Sequence, residues 1–112
     1  MIKVHVTRKD DGKISSFTMK GHADFAEQGQ DIVCAGASAV AFGSINSVFA
    51  LTGIEPEIEQ SEGGYLKCIL PNQLDEESSV KAQLLLEGMV ISLQTIERDY
   101  QKYIQVRVQK GE

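Results

Sequence analysis

The chain has too little of several things for most function classes. Its two cysteines, Cys34 and Cys68, are too few for a disulfide framework, so both thiols are expected reduced, in a cytoplasmic setting. There is no C-x-x-C and no paired-histidine motif, so no metal site is expected. No apolar run is read as approaching the roughly 20 residues of a membrane helix, so no membrane partner is expected. Basic residues are outnumbered: 11 Lys and Arg stand against 16 Asp and Glu, a net charge of −5. That balance argues against direct nucleic-acid binding, which leans on a basic face, and suits a basic protein partner. The start, MIKVHVTRKDDG, alternates and then turns polar, as a strand does and a signal peptide does not. Linkers, internal repeats and low-complexity segments are lacking too.

What is present reads as a single domain over residues 1–112, enough chain for a core without staples. Ile2, Val4 and Val6 alternate with Lys3, His5 and Thr7, a half-buried strand. Asp10-Asp11-Gly12 signals a hairpin, and Ile14 to Lys20 returns with Phe17 and Met19 on one face. A helix is expected from Ile32 to Thr52, narrow in its first half, with Gly53 as its left-handed cap. Its glycines cost about 1 kcal/mol each against alanine, which close packing would offset. Ile54 to Gln60 alternates apolar residues with Glu55, Glu57 and Glu59, and Pro56 suits a strand start or an edge. Those glutamates read first as a solvated face and second as an attraction for substrate. Glu62-Gly63-Gly64 turns the chain into a strand from Tyr65 to Leu70, with Cys68 among its core positions. A second helix starts between Asp75 and Ser79. Its apolar residues, Val80 to Ile96, surround most of its circumference, so it is buried on more than one side. Either the fold wraps it or a second subunit does. A last strand spans Tyr103 to Val108. The order ββαββαβ implies an α+β fold: two helices packed on a mixed, mostly antiparallel sheet.

The chemistry concentrates between Gly21 and Ser38, in GHADFAEQGQDIVCAGAS. Gly21 to Gln30 has neither strand nor helix period and carries glycines near both ends, so it reads as a loop hinged at Gly21 and Gly29. Asp31 is read as the helix cap, with Ile32 the first helical residue. Cys34 then sits at the third helical position, among N–H groups without partners inside the helix, a setting that favours a thiolate. His22 lies on a loop long enough to fold back over the helix start, where an imidazole takes a thiol proton and returns it to a leaving amine. Ser38 is one turn beyond Cys34 on the same face. Asp24 and Asp31 both suit the orienting of His22, and spacing does not choose between them. A phosphate-binding loop is disfavoured, since Gly29-Gln30-Asp31 lacks a lysine and puts a carboxylate at the helix start.

Gly21-His22-Ala23, Gly29, Asp31-Ile32-Val33-Cys34-Ala35 and Ser38 together resemble the bacterial ribosomal-processing cysteine proteases, the Prp family. Gly36, where alanine is expected, is a mild departure. The resemblance implies a cysteine endopeptidase that removes the N-terminal extension of a basic large-subunit ribosomal protein, number twenty-seven, before it joins the ribosome. It implies His22 and Cys34 as the catalytic pair, Asp31 and Ser38 as supporting residues, no cofactor, and a homodimer. The alternative from another class is a non-catalytic ribosome-assembly or scaffolding module that holds a basic ribosomal protein and leaves His22 and Cys34 without a task.

Overall fold

The computed structural model describes residues 1–21 and 30–111, without the side chains of Gln30 and Asp31. Seven elements follow in the expected order: β1 Ile2–Arg8, β2 Ile14–Lys20, α1 Gln30–Thr52, β3 Glu57–Ser61, β4 Tyr65–Ile69, α2 Glu76–Tyr100 and β5 Ile104–Lys110. The strands form one sheet in the order β3-β4-β2-β1-β5. Three pairings are antiparallel and one, β1 with β5, is parallel.

Period-two patterning settles which sheet face is covered. Ile2, Val4, Val6, Phe17, Met19, Leu66, Cys68 and Ile104 are all at most 2% exposed and share the helix side. Each large apolar side chain buried there contributes roughly 1.5–3 kcal/mol. Ile14 breaks the simple alternation, being three residues from Phe17 yet also buried. A register shift explains it: Thr7 pairs with Ser16 but Arg8 pairs with Ile14, so Ser15 is an extra residue, a β-bulge. The bulge returns Ile14 to the core side. Gln83 of α2 then clamps the backbone there, accepting from Ile14 N at 2.7 Å and donating to Ile14 O at 2.8 Å.

Both helices pack on the sheet and on each other. α1 buries Val33, Ala37, Ala41, Ile45 and Val48, at spacings of three and four residues. Three expectations about the helices change. Ile32–Thr52 proves long and apolar enough to cross a membrane, 21 residues, because small uncharged residues fill it; here one face of it lies in the core. Close packing does not require its glycines. A Cβ at Gly36 would make an ordinary contact with Ile96 at 3.8 Å, and one at Gly43 would meet nothing within 4 Å. α2, lastly, is buried on one side only, through Ala82, Leu86, Met89, Val90 and Leu93. Val80, Leu84 and Ile91 are 55%, 74% and 63% exposed, so this chain alone does not wrap them.

The ends of α2 are fixed by polar contacts. Asp75 caps it, its carboxylate accepting from Ser78 N at 3.0 Å, which holds the Asp75 carboxyl below the usual range. Glu97 accepts from Val106 N at 2.7 Å and so satisfies a β5 donor on the sheet's outer edge. Midway, the Arg8 guanidinium forks the Glu87 carboxylate, with Nη2 to Oε1 at 2.8 Å, and also donates to Gly12 O at 2.9 Å. This ties the first hairpin to α2.

Hydrogen bonding from Arg8 holds the Glu87 carboxyl below its ordinary value of 4.5. The pair's contribution to stability is therefore present above pH 4.5 and is lost as pH falls through the lowered folded value. Glu87→Gln should be less stable than the parent near neutrality and lose less on acidification. Urea midpoints measured for both from neutrality down to acid check this; parallel curves would show that the pair adds no pH dependence.

Candidate active site

β2 ends at Lys20, and Gly21 turns the chain out of the sheet with φ +82°, a conformation that side chains rarely adopt. Its N–H donates to Gly64 O at 2.8 Å, in the β3–β4 turn, where Gly63 and Gly64 also have positive φ. Its carbonyl faces α1: the Cys34 thiol lies 4.0 Å from Gly21 O. Gly21 thus joins the sheet to the start of the helix. Cys34 is 9% exposed, at the boundary between core and surface. The Cα–Cβ bond of a helical residue tilts toward the N-terminus, so the thiol leans over the first turn.

The helix start differs from expectation. α1 begins at Gln30, so Asp31 belongs to its first turn and is not its cap, and Cys34 is the fifth helical residue. The i→i−4 pattern then commits the Cys34 N–H to the Gln30 carbonyl, leaving earlier first-turn N–H groups as the unpaired donors. A carboxylate favours a helix N-terminus at the cap and within the first turn alike, and this is why sequence did not separate the two. Ser38 lies half-buried one turn on, along the face that carries Cys34. His22, Asp24 and Gly29 lie outside the described residues, as does the Asp31 side chain.

Cys68 is the contrasting thiol. It points from β4 into the core at 2% exposure, and burial pushes it up to about 12. Neither cysteine forms a disulfide. Among the described residues no cluster of His, Cys, Asp and Glu is placed to hold a metal ion. A cavity of about 110 Å³ lies at the other end of β2, lined by Lys9, Lys13, Leu70 and Asn72 among others. Its lining includes no cysteine, and it is remote from Cys34. What sequence reasoning missed is Gly64. Its only signal was the Gly-Gly pair, which read as a hairpin turn and nothing more.

Comparison with known proteins agrees with this fold. The family model described as cysteine protease Prp matches residues 1–105. The ribosomal processing cysteine protease Prp of Bacillus subtilis is 52% identical over 107 residues, covering 95% of this chain and 96% of its own. The structure of the essential ribosomal processing protease Prp from S. aureus in complex with a substrate peptide superposes with a TM-score of 0.86. It is 42% identical and covers 96% of this chain and 99% of its own. A second structure of that enzyme carries a covalently linked product peptide; it has a TM-score of 0.82 and 44% identity, with the same two coverages. The sheet and the two helices accord with these matches, and the chain belongs to the Prp family of ribosomal-processing cysteine proteases.

Proposed function

We propose that this chain is the cysteine endopeptidase that removes the N-terminal extension of large-subunit ribosomal protein number twenty-seven, with Cys34 as nucleophile and His22 as its base. One observation carries the reading: the Cys34 thiol lies 4.0 Å from the carbonyl of Gly21, the residue that precedes His22 in the chain. His22 accepts the thiol proton, and the sulfur attacks the scissile carbonyl. Unpaired N–H groups in the first turn of α1 hold the oxyanion. His22 returns the proton to the leaving amine, and water then releases the acyl-enzyme. The covalently linked peptide on the S. aureus relative supports this order of events. Asp31 and Ser38 are supporting residues, and Gly21 and Gly29 are the hinges of the segment between them. The enzyme acts in the cytoplasm and needs no cofactor.

The partner surface supports a homodimer. Between Ile32 and Thr52 α1 carries no charged residue, and its Ile32, Ala35, Ala39, Gly43 and Ala50 are exposed. Val80, Leu84 and Ile91 expose one stripe of α2 at helical spacing. A second copy covering these outward faces would remove both apolar surfaces from water.

A cleavage assay tests the assignment. The parent should release an N-terminal peptide from the extended ribosomal protein, read by mass spectrometry, and Cys34→Ala and His22→Ala should each lose about a thousandfold or more of the rate. A parent that binds the protein and leaves it intact would transfer the case to the assembly-module reading. Alkylation separates the thiols in the same sample. Iodoacetamide near neutral pH should label Cys34 in the native protein and spare Cys68, whose thiol is pushed up to about 12. Native labelling of Cys68 would show that β4 opens readily. For the dimer, sedimentation velocity should give twice the chain mass for the parent and a folded monomer for Leu84→Glu with Ile91→Glu; a monomeric parent sinks the dimer.

A further inference from the structure

The sheet has two edges, β5 and β3. On β5 the outward N–H of Val106 is bonded by Glu97 of α2, which takes one donor of that edge out of reach of an added strand. On β3 the chain pairs with β4 alone among the described residues, and every residue from Glu57 to Ser61 is exposed. An edge strand offers a row of N–H and C=O groups to an extended peptide.

The side chains along β3 state what such a peptide must look like. Glu57 and Glu59 stand on one face, opposite Ile69 and Lys67. Ile58 stands on the other, opposite the buried Cys68, and is 40% exposed at the margin of the core. An added strand alternates its side chains with the same period of two. Residues beside Glu57 and Glu59 would be cationic, and those beside Ile58 apolar. Charges on an edge strand commonly serve only to repel other strands. Here all of them have one sign, they alternate with an exposed isoleucine, and the edge leads toward the thiol. β3 ends at Ser61, which pairs with Tyr65 across the turn. Gly64 in that turn accepts the Gly21 N–H, and Gly21 O lies 4.0 Å from Cys34 Sγ.

We infer that the free edge of β3 is a substrate-docking edge. It takes, by strand addition, an extended segment of the substrate in which basic and apolar residues alternate. The inference rests on the protease reading for its occupant, since ribosomal proteins are rich in Lys and Arg. It adds to that reading a second contact, separate from the catalytic residues.

Fluorescence anisotropy on the full chain carrying Cys34→Ala, so that no probe is consumed, tests it. The probe is a short labelled peptide alternating Lys and Leu. The controls are a peptide alternating Glu and Leu, and the first peptide N-methylated at alternate amides. The Lys/Leu peptide should bind, the other two should bind about tenfold or more weakly, and Glu57→Lys with Glu59→Lys should weaken the first to the same extent. Both substituted positions are exposed, but Glu59→Lys faces Lys67 with a like charge, so thermal unfolding of the double variant is measured beside its binding. Glu57→Gln with Glu59→Gln, which adds no cation, should weaken binding in the same direction. No binding by the parent, equal binding by the double variant, or equal binding of the N-methylated peptide would each overturn strand addition at β3. Cleavage of the extended ribosomal protein by the unsubstituted enzyme is scored separately. Intact cleavage without peptide binding removes the β3 edge and leaves the protease. Peptide binding without cleavage does the reverse.

Discussion

The contacts of Gly21 are what the site is built on. One peptide carbonyl and one N–H link three elements that are distant in sequence: β2, which Gly21 ends, the β3–β4 turn, which it bonds at 2.8 Å, and the start of α1, which it meets at Cys34. The conformation that allows this is a φ of +82°, open to glycine at little cost and unfavourable for a residue with a Cβ. A side chain there would strain the turn, and the loss would fall on the thiol's surroundings before it fell on the core. The sheet is the rigid part of this arrangement. β2 is its middle strand, bonded on both sides, so its end is held by neighbours that are themselves in the core.

The two cysteines show how one residue type serves two ends. Cys68 faces the helix side of the sheet among Leu66, Phe17 and Met19, where there is nothing to stabilise a thiolate, and burial raises its thiol far out of the neutral range. Cys34 sits on a helix rather than a strand and leans toward that helix's positive end. It also lies beside a backbone carbonyl at the surface end of a strand. The contrast is one of placement, since both thiols are little exposed.

Much of the fold was legible because its signals are periodic. The alternation in β1, the turn glycines and Asp75 before α2 all act locally, and the elements appear in the expected order, although the strand expected from Ile54 begins only at Glu57, after Pro56. The differences arise where a distant contact decides. Nothing in ISSF shows that Ser15 will bulge; that follows from Arg8 pairing with Ile14 and from Gln83 waiting on α2. The apolar circumference of α2 was visible, but which stripe meets the sheet depends on the whole assembly. The site divides in the same way. Cys34 near a helix start could be read directly. The start itself moved to Gln30, because Asp is at home at the cap and in the first turn. The tie from Gly64 to Gly21 joins residues 43 positions apart and left no local trace.

A cysteine protease that meets extended and unfolding chains needs a reason not to cut them. Shape at one bond supplies little discrimination, since a single pocket contact is worth only about 1–3 kcal/mol. A second contact some strands away multiplies it, because a peptide must then satisfy two sites at a fixed spacing. This sheet is suited to such a division. Glu97 occupies one outward donor of its β5 edge, and among the described residues its acidic β3 edge, one hairpin away from the thiol, pairs with β4 alone. A neutral or acidic chain gains nothing at Glu57 and Glu59 and meets repulsion if its own charge is negative. Discrimination would therefore come from the charge and alternation of a flanking segment, read by backbone pairing, while the chemistry proposed at Cys34 stays indifferent to both.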